Sequence, residues 1–267
     1  MAFDLASISH ETRIRAPRII VIGESKVGKS TFAASAPNPA ILPIKGEEGV
    51  DDLRNSISGE KLAVEPLPVC LSLDDVMGWF GALYTQEHDY QTVVVDSAST
   101  LEHLVWEDVC RRNGNVDGIE KVGGGWAKGY TESLPVWRRI TEALDALRAD
   151  RGMASIIIGH TRIRRHDDPL EGGYDRFEWD IHDKASSLLF RWADAILFAG
   201  FKTVVRHEDV GFGKEAKRAI DITGGQRFLY TQHRPGHPGG GRGVYGRLSY
   251  ELPLLWSAFQ DAVAAAI

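Results

Sequence analysis

The run from Gly23 to Ser30 has residue types and a spacing that suit the binding of a polyphosphate. It fits the pattern G-x-x-x-x-G-K-[ST] at every fixed position, and it lies between an apolar strand pattern and a plausible helix start at Ser30. Glycines permit a turn in which successive backbone N–H groups surround a phosphate at a helix N-terminus. Lys29 would neutralise the β- and γ-phosphate oxygens, and the Ser30 hydroxyl would bind Mg²⁺. The predicted nucleotide site comprises Gly23, Glu24, Ser25, Lys26, Val27, Gly28, Lys29, Ser30 and Thr31.

A carboxylate follows a second apolar strand pattern further along the chain. Val93-Val94-Val95 is followed directly by Asp96. Many buried strands end in an aspartate that only caps them, so this pattern alone is weak. Downstream of a phosphate loop, however, it is typical of the carboxylate on the Mg²⁺ side of the nucleotide. We therefore predict that Ser30 and Asp96 are the metal-side residues.

The composition is that of a globular chain. Of its 267 residues, 43% are hydrophobic and 25% are charged, which excludes global disorder and collagen-like structure. Thirty-seven acidic against 31 basic residues give a net charge of −6, so any nucleic-acid contact has to be local. Two cysteines cannot form a disulfide framework, and no apolar run approaches the ~20 residues that span a bilayer. We expect a soluble cytoplasmic protein with no membrane partner.

The elements that would position these residues alternate between strand and helix patterns, which predicts an α/β fold with a mostly parallel sheet flanked by helices. The predicted parallel strands are Arg18–Ile22, Ala40–Ile44, Thr92–Val95, Ser155–Ile158 and Ala195–Ala199. Helices are predicted for Leu73–Tyr84, Leu101–Arg111 and residues 134–148. Ser99 and Glu102 have the spacing of a capping box for the second of these helices. Shorter strands follow at Arg218–Ile222, Gln226–Thr231 and Arg247–Tyr250, and a closing helix starts at about Pro253.

The domain organisation predicted from these patterns is simple. Residues 1–16 precede the first strand and are expected to form an N-terminal arm, whereas residues 17–267 are expected to form one domain. Residues 112–131 and 161–180 have the composition of long loops, which in a compact domain are usually functional or mobile. Residues 235–246 hold six glycines and two prolines and are also predicted to be a loop.

On these motifs the chain resembles the RecA-like ATPases. Ile22–Thr31 resembles their P-loop, and Val93–Ser97 followed by Ala98-Ser99-Thr100 resembles their Walker B strand and its continuation. More closely, the chain resembles RecA-like ATP-binding proteins encoded in bacteriophage genomes, some of which act as single-strand annealing proteins. The resemblance covers residues 17 to about 255. It implies a RecA-like core with the parallel strands in the order 5-1-4-3-2, ATP and Mg²⁺ as ligands and, for a phage- or prophage-encoded chain, the bacterial host cytoplasm.

The resemblance also assigns further catalytic residues beside Lys29. The fourth strand would lie between the P-loop and Walker B strands, so His160 at its end would sense the γ-phosphate; a histidine that merely caps a buried strand is the alternative. The second strand is followed by Glu47, which would polarise the attacking water; Glu48 is one alternative, and two solvated loop acids are the other. Arg242 stands where relatives carry a Lys-x-Arg that completes the neighbouring subunit's site. The lysine is absent here, and a solvated loop arginine is the alternative.

The two predicted long loops occupy the places where RecA-like proteins bind single-stranded DNA. The first combines cations with aromatic rings, which suits phosphate binding and base stacking. The second begins with three arginines within four residues. A solvated charged surface is the alternative for both. The predicted DNA contacts are Lys121, Trp126, Lys128, Tyr130, Arg162, Arg164 and Arg165.

The predicted function is therefore a DNA-dependent ATPase that assembles with itself, as a ring or filament, on single-stranded DNA for recombination or strand annealing. A non-hydrolysing module that ATP locks onto DNA is the first alternative. Another P-loop NTPase or a small-molecule kinase is the second. It is disfavoured because the sequence has no Asn/Thr-Lys-x-Asp motif for guanine and no basic lid typical of nucleotide kinases.

Overall fold

The structure, a computed structural model, describes residues 15–47, 53–55, 58–168, 172–209, 215–221 and 224–267. The strands are β1 (Arg18–Gly23), β2 (Pro39–Pro43), β3 (Thr92–Asp96), β4 (Ala154–Asp168), β5 (Gly172–Trp179), β6 (Ala195–Phe201), β7 (Thr203–Asp209), β8 (Glu215–Asp221), β9 (Arg227–Tyr230), β10 (Gly240–Gly241) and β11 (Glu251–Pro253). The α-helices are α1 (Lys29–Ala34), α2 (Leu73–Thr85), α3 (Ala98–Arg112), α4 (Lys128–Glu132), α5 (Leu134–Arg151), α6 (Asp183–Trp192) and α7 (Trp256–Ala266). Most of the predicted N-terminal arm and the alternative acid Glu48 lie outside the described residues.

Nine strands of the described chain form one mixed sheet, with the main order β11-β9-β6-β1-β4-β3-β2. Strands β6, β1, β4, β3 and β2 are parallel to one another, and counted along the chain they have the predicted order 5-1-4-3-2. Strands β9, β10 and β11 are antiparallel to their neighbours. These observations confirm the α/β, RecA-like fold and its antiparallel C-terminal strands. The separate hairpin of β7 and β8 was not predicted as a pair.

Helices cover both faces of the sheet, and β1 shows why. Ile19 and Val21 pack in one buried cluster with residues of α1 and α7, whereas Ile20 and Ile22 pack in another with residues of α2, α3 and α5. All four side chains are fully buried. Successive side chains of a strand point to opposite faces, so a continuous apolar strand requires a cover on each side. The carboxyl ends of the parallel strands are therefore held on a rigid support.

Residues 112–131 do not form the long loop that was predicted. A 3-10 helix spans Ile119–Gly124, and α4 follows it. Ile119 and Val122 are buried in the core beneath α3. Two apolar side chains thus anchor a segment whose glycines and charges give it the composition of a loop.

The prediction of a loop over residues 161–180 is also wrong. Strand β4 continues beyond the sheet to Asp168 and pairs with β5 as an antiparallel ribbon from Thr161↔Trp179 to Asp168↔Gly172. Both faces of this ribbon lie mainly outside the core, so its sequence carries charges where a core strand would carry apolar residues. The ribbon projects from the same edge of the sheet as the phosphate loop.

Helix α3 begins differently from the predicted capping box. Ser97, not Ser99, is its N-cap and accepts the backbone N–H of Thr100. Glu102 is buried, and its carboxyl oxygens accept the backbone N–H of His182 at 2.9 and 3.0 Å. Ser99 accepts the N–H of His160 at 3.1 Å. The first turns of α3 therefore connect His160, in the middle of β4, to the start of α6.

The C-terminal strand also differs from the predicted Arg247–Tyr250. A 3-10 helix occupies Gly243–Arg247, so the chain pairs with β9 only from Glu251 onward. In the part of the chain that the structure describes, no helix is both long and apolar enough to cross a bilayer.

Candidate functional site

The loop between β1 and α1 lies at the carboxyl end of the parallel strands, and its glycines are required by the backbone. A Cβ on Gly23 would lie 2.3 Å from the carbonyl oxygen of Ala199 in β6, so no larger residue fits without displacing a strand. Gly28 has a φ of 110°, a conformation that L side chains rarely adopt. The two fixed glycines of the sequence pattern are thus explained by close strand packing and by a left-handed turn.

Lys29 is buried at the mouth of this loop. Its Nζ donates to the carbonyl oxygens of Gly23 at 2.9 Å and Glu24 at 2.7 Å. Burial lowers the pKa of Lys29 to about 8, although the nearby carboxylates of Asp96 and Glu47 oppose the shift. The ammonium is therefore partly desolvated, and a polyphosphate would supply the close anionic partner that stabilises its charged form.

Ser30 of α1 and Asp96 of β3 bring together two oxygen atoms that could bind a metal ion. The Ser30 hydroxyl donates to Oδ2 of Asp96 at 2.6 Å. Asp96 is only 3% exposed, and burial raises its pKa against the opposing hydrogen bond from Ser30. Hard oxygen ligands are those that Mg²⁺ prefers, and a cation would relieve the cost of a buried carboxylate. The pair therefore fits a magnesium–nucleotide complex beside the phosphate loop.

Glu47 follows β2, and His160 lies in β4 at the point where that strand leaves the parallel sheet. Oε1 of Glu47 lies 2.9 Å from Nε2 of His160 and accepts the Ser97 hydroxyl at 2.7 Å. Burial alone would raise the pKa of Glu47, but the hydrogen bonds from His160 and Ser97 outweigh it, and the pKa lies below its ordinary value. An ionised carboxylate can take a proton from water.

The other ring nitrogen of His160 faces the phosphate loop. Nδ1 lies 3.2 Å from the Ser25 hydroxyl. Because a carboxylate only accepts, Nε2 donates to Glu47, which leaves Nδ1 to pair with the Ser25 hydroxyl. One imidazole thus spans the distance from the candidate base to the loop that would hold the phosphates.

A cavity of about 850 Å³ lies beside the phosphate loop. It is lined by Thr31, residues 54–55, residues 224–228 and residues 253–255. The Arg227 guanidinium packs on the loop, 3.1 Å from where a Cβ of Gly28 would stand. This volume is typical of small-ligand pockets and is large enough for a nucleoside next to its phosphates. Arg54 and Arg227 come from separate segments and belong to no motif, so sequence reasoning could not find either.

Arg242 lies at the opposite end of the sheet from the phosphate loop. Its backbone N–H donates to the carbonyl of Asp194, and Asp194 in turn donates to the carbonyl of Arg18 at the start of β1. At about 3.3 Å per residue, β1 rises roughly 16 Å between Arg18 and Gly23, which exceeds the reach of an arginine side chain. Arg242 is exposed and does not join the phosphate site of its own chain.

The predicted DNA residues lie on the 112–131 segment and on the β4–β5 ribbon. Most of their cations face acids: Lys121 pairs with Asp117 at 2.7 Å, Arg162 with Asp180 at 3.2 Å, Arg164 with Asp183 at 2.9 Å and Arg165 with Asp167 at 3.8 Å, while Lys128 donates to the carbonyl of Gly123. Exposed pairs of this kind are weak because water screens the charges, so a phosphate can compete for the cations. Trp126 is 93% exposed on a backbone with a φ of 57°.

These observations define a P-loop ATPase fold with its phosphate site at the carboxyl edge of the sheet. A protein-family model described as "AAA domain" matches residues 15–243, and the chain belongs to this family of ATPase domains. The solved structure entitled "Crystal structure of the RadB recombinase" is similar with a TM-score of 0.40 and 15% identity, covering 84% of this chain and 92% of that chain. A comparison with curated proteins gave no match.

Proposed function

We propose that this protein binds ATP with Mg²⁺ and hydrolyses it, as a homo-oligomer that assembles on single-stranded DNA for phage-type recombination or strand annealing. The observation that carries the proposal is the convergence of Lys29, the Ser30–Asp96 pair and the Glu47–His160 pair at adjoining strand ends. These groups supply a phosphate cation, oxygen ligands for a metal, and a base with a partner that reaches the phosphate loop. A glycine-rich turn with a purely structural role would not require these side chains to converge.

Each side chain has a distinct task in hydrolysis. Lys29 exchanges its carbonyl partners for the β- and γ-phosphate oxygens and offsets their charge. Ser30 and Asp96 would hold Mg²⁺, which neutralises phosphate charge when it is bound. Glu47 orients the attacking water and accepts its proton, while His160 reaches the γ-phosphate from the point where β4 leaves the parallel sheet. The nucleoside occupies the 850 Å³ cavity beside Thr31 and Arg227.

Assembly follows in this proposal from the position of Arg242. An exposed arginine at the far end of the sheet can serve only a phosphate outside its own chain, and a head-to-tail contact would bring such a phosphate from the next subunit. The guanidinium binds phosphate oxygens bidentately. The catalytic set is then Lys29, Glu47 and His160 from one subunit with Arg242 from its neighbour.

The DNA part of the proposal rests on the 112–131 segment and on the β4–β5 ribbon. They combine Trp126, which is almost fully exposed, with cations whose ion pairs are at the surface. Aromatic stacking with phosphate contacts is the usual basis of sequence-independent single-strand binding. The local charges act within a Debye length of about 8 Å, so the net charge of −6 does not oppose them at longer range.

The test is ATP turnover measured while single-stranded DNA is titrated into the full-length protein with Mg²⁺. We expect turnover to rise and saturate with the strand, and electron microscopy with a slowly hydrolysed ATP analogue to show rings or filaments on it. Strand binding that requires ATP but is accompanied by no turnover would instead identify a module that ATP holds on DNA without hydrolysis. Turnover that responds to a small-molecule acceptor and not to DNA would identify a kinase.

A further inference from the structure

Four aromatic rings from three elements form a continuous row beside the phosphate site, and we call them the aromatic row. His103 contacts Trp106 with ring centroids 5.3 Å apart, Trp106 contacts Tyr130 at 5.5 Å, and Tyr130 stacks on His182 at 4.1 Å with an interplanar angle of 9°. The first two rings belong to α3, the third to α4, and the fourth caps α6. The row lies outside the ATP machinery.

The aromatic row lines a cavity of about 510 Å³. Arg162 and Arg164 of the β4–β5 ribbon and the buried Glu102 of α3 also line it. Both arginines already face carboxylates, Arg162 that of Asp180 and Arg164 that of Asp183. The cavity therefore has no surplus of cations that would favour a free phosphate. Trp106 meets His103 and Tyr130 edge to face, at interplanar angles of 86° and 75°, so the row presents rings at different angles. The cavity thus combines aromatic rings with several hydrogen-bonding groups.

We propose that this cavity binds one nucleobase of the DNA strand, stacked against one ring of the aromatic row with polar partners in Glu102 and Arg162. The inference rests on the proposed binding of single-stranded DNA and adds a site for the base. A base offers two π-faces and a polar edge, and a cavity with aromatic, carboxyl and guanidinium groups matches both features. The phosphates of the strand would remain at the rim, near Lys128 and the exposed ribbon.

The position of the cavity connects a bound base to the nucleotide site. Ser99 lines the cavity, and its hydroxyl accepts the backbone N–H of His160 at 3.1 Å. Two residues earlier on the same helix start, Ser97 donates to Glu47 at 2.7 Å. A base that shifts the first turn of α3 thereby shifts both partners of the candidate catalytic pair. By linkage, ATP must alter the affinity for the base as much as the base alters the affinity for ATP.

The experiment uses full-length protein and an oligothymidylate that carries one 2-aminopurine, whose fluorescence falls when it stacks on an aromatic ring. We expect quenching on binding in the wild type. Trp106→Leu and Tyr130→Leu should restore the fluorescence of the bound strand and weaken binding by about 5- to 150-fold, the range for loss of one stacked base. Tyr130→Phe keeps the ring and should still quench the 2-aminopurine of the bound strand.

Two controls separate the cavity from general strand binding. Trp126→Ala removes an exposed ring outside the cavity, so it should weaken binding without restoring the fluorescence of the strand that remains bound. A strand with an abasic site in place of the 2-aminopurine tests the cavity without changing the protein. The abasic strand should bind the wild type more weakly than the intact strand does. Tyr130→Leu should bind the two strands with equal affinity.

The outcomes distinguish this inference from the proposed function. Wild-type protein that binds no single strand, with or without an ATP analogue, overturns both. Strand binding with unchanged quenching in folded Trp106→Leu and Tyr130→Leu overturns the base site and leaves DNA binding standing. A free 2-aminopurine nucleotide that binds and is quenched as strongly as the strand would assign the cavity to mononucleotides and overturn the proposal.

Discussion

Nε2 of His160 lies 2.9 Å from Oε1 of Glu47, and Nδ1 of the same ring lies 3.2 Å from the Ser25 hydroxyl. A γ-phosphate arriving at the loop would compete with these partners for the imidazole. Because the hydrogen bond from His160 helps to lower the pKa of Glu47, its loss would raise that pKa and make the carboxylate a stronger base. The same contact that restrains Glu47 without nucleotide would thus release it when ATP is bound.

Glu47→Gln tests the role of the carboxylate as a base. Glutamine keeps an oxygen that can accept from Ser97 and His160, but it cannot take a proton from water. We expect turnover to fall by about 10²- to 10⁴-fold, the usual contribution of a general base, with ATP affinity nearly unchanged. Glu65→Gln, at an exposed position away from the site, is the matched control. Turnover of Glu47→Gln within a few-fold of the wild type would exclude Glu47 as the base.

Lys29→Ala tests the phosphate loop. Burial already disfavours the charged form of Lys29, so its removal should leave the thermal midpoint within a few degrees of the wild type. ATP binding measured by calorimetry should fall below detection, since the phosphates lose their buried cation. Lys61→Ala, at an exposed position, should bind ATP normally. A folded Lys29→Ala protein with wild-type affinity for ATP would contradict the assignment.

The phosphate site was predictable because its signals are local. The spacing of Gly23, Gly28 and Lys29 encodes one turn, and apolar runs encode buried strands of a parallel sheet. The parallel order 5-1-4-3-2 came from the family resemblance, and the registers confirm it. That order places β4 and β2 on either side of β3. His160 and Glu47, far apart in sequence, can therefore meet across the end of β3.

The structure of the 112–131 segment, the β4–β5 ribbon and the partner of Glu102 were not predictable, because contacts distant in sequence determine them. Ile119 and Val122 anchor the 112–131 segment, but they are isolated among glycines and charges, so no periodicity marks them. The β4–β5 ribbon has two largely solvated faces and therefore lacks the apolar alternation that marks a strand packed on a core. Glu102 has the spacing of a capping box, yet the fold places it against His182. Only the three-dimensional arrangement decides between such partners.

Glu102→Gln should change the pH dependence of stability. Burial raises the pKa of Glu102 from its ordinary 4.5 to about 7, with the hydrogen bond from His182 opposing. Between these values the folded state holds a proton that the unfolded chain releases, so the wild type loses stability as pH rises through this window. Glutamine stays neutral and keeps an acceptor for His182. The variant should gain about 2–3 kcal/mol of unfolding free energy relative to the wild type between about pH 5 and pH 8.

Urea unfolding at several pH values measures this difference. Glu107→Gln, at an exposed position on the same helix, is the control and should follow the wild-type pH profile. If the unfolding free energies of Glu102→Gln and the wild type stay parallel across the range, the carboxyl of Glu102 is not protonated in the folded protein at neutral pH.

The last prediction concerns Arg242, whose backbone is bonded to Asp194 at the far end of the sheet. Since β1 places its own phosphate loop roughly 16 Å away, Arg242 can act only on the nucleotide of another subunit. An arginine acting in this way contributes about 10³- to 10⁵-fold in rate, and without a companion lysine we expect the low end or less. Arg242→Ala should therefore lose most turnover while retaining ATP affinity. Arg247→Ala, a nearby exposed arginine, is the control.

Mixing two inactive variants tests whether the arginine acts between subunits. Arg242→Ala has an intact phosphate loop, and Lys29→Ala has an intact Arg242, so an interface that joins them contains one complete site. The mixture should recover part of the turnover that neither variant has alone, in proportion to the share of mixed interfaces. No recovery in mixtures that co-assemble by light scattering would exclude action between subunits. Full turnover of Arg242→Ala alone would remove the arginine from the mechanism.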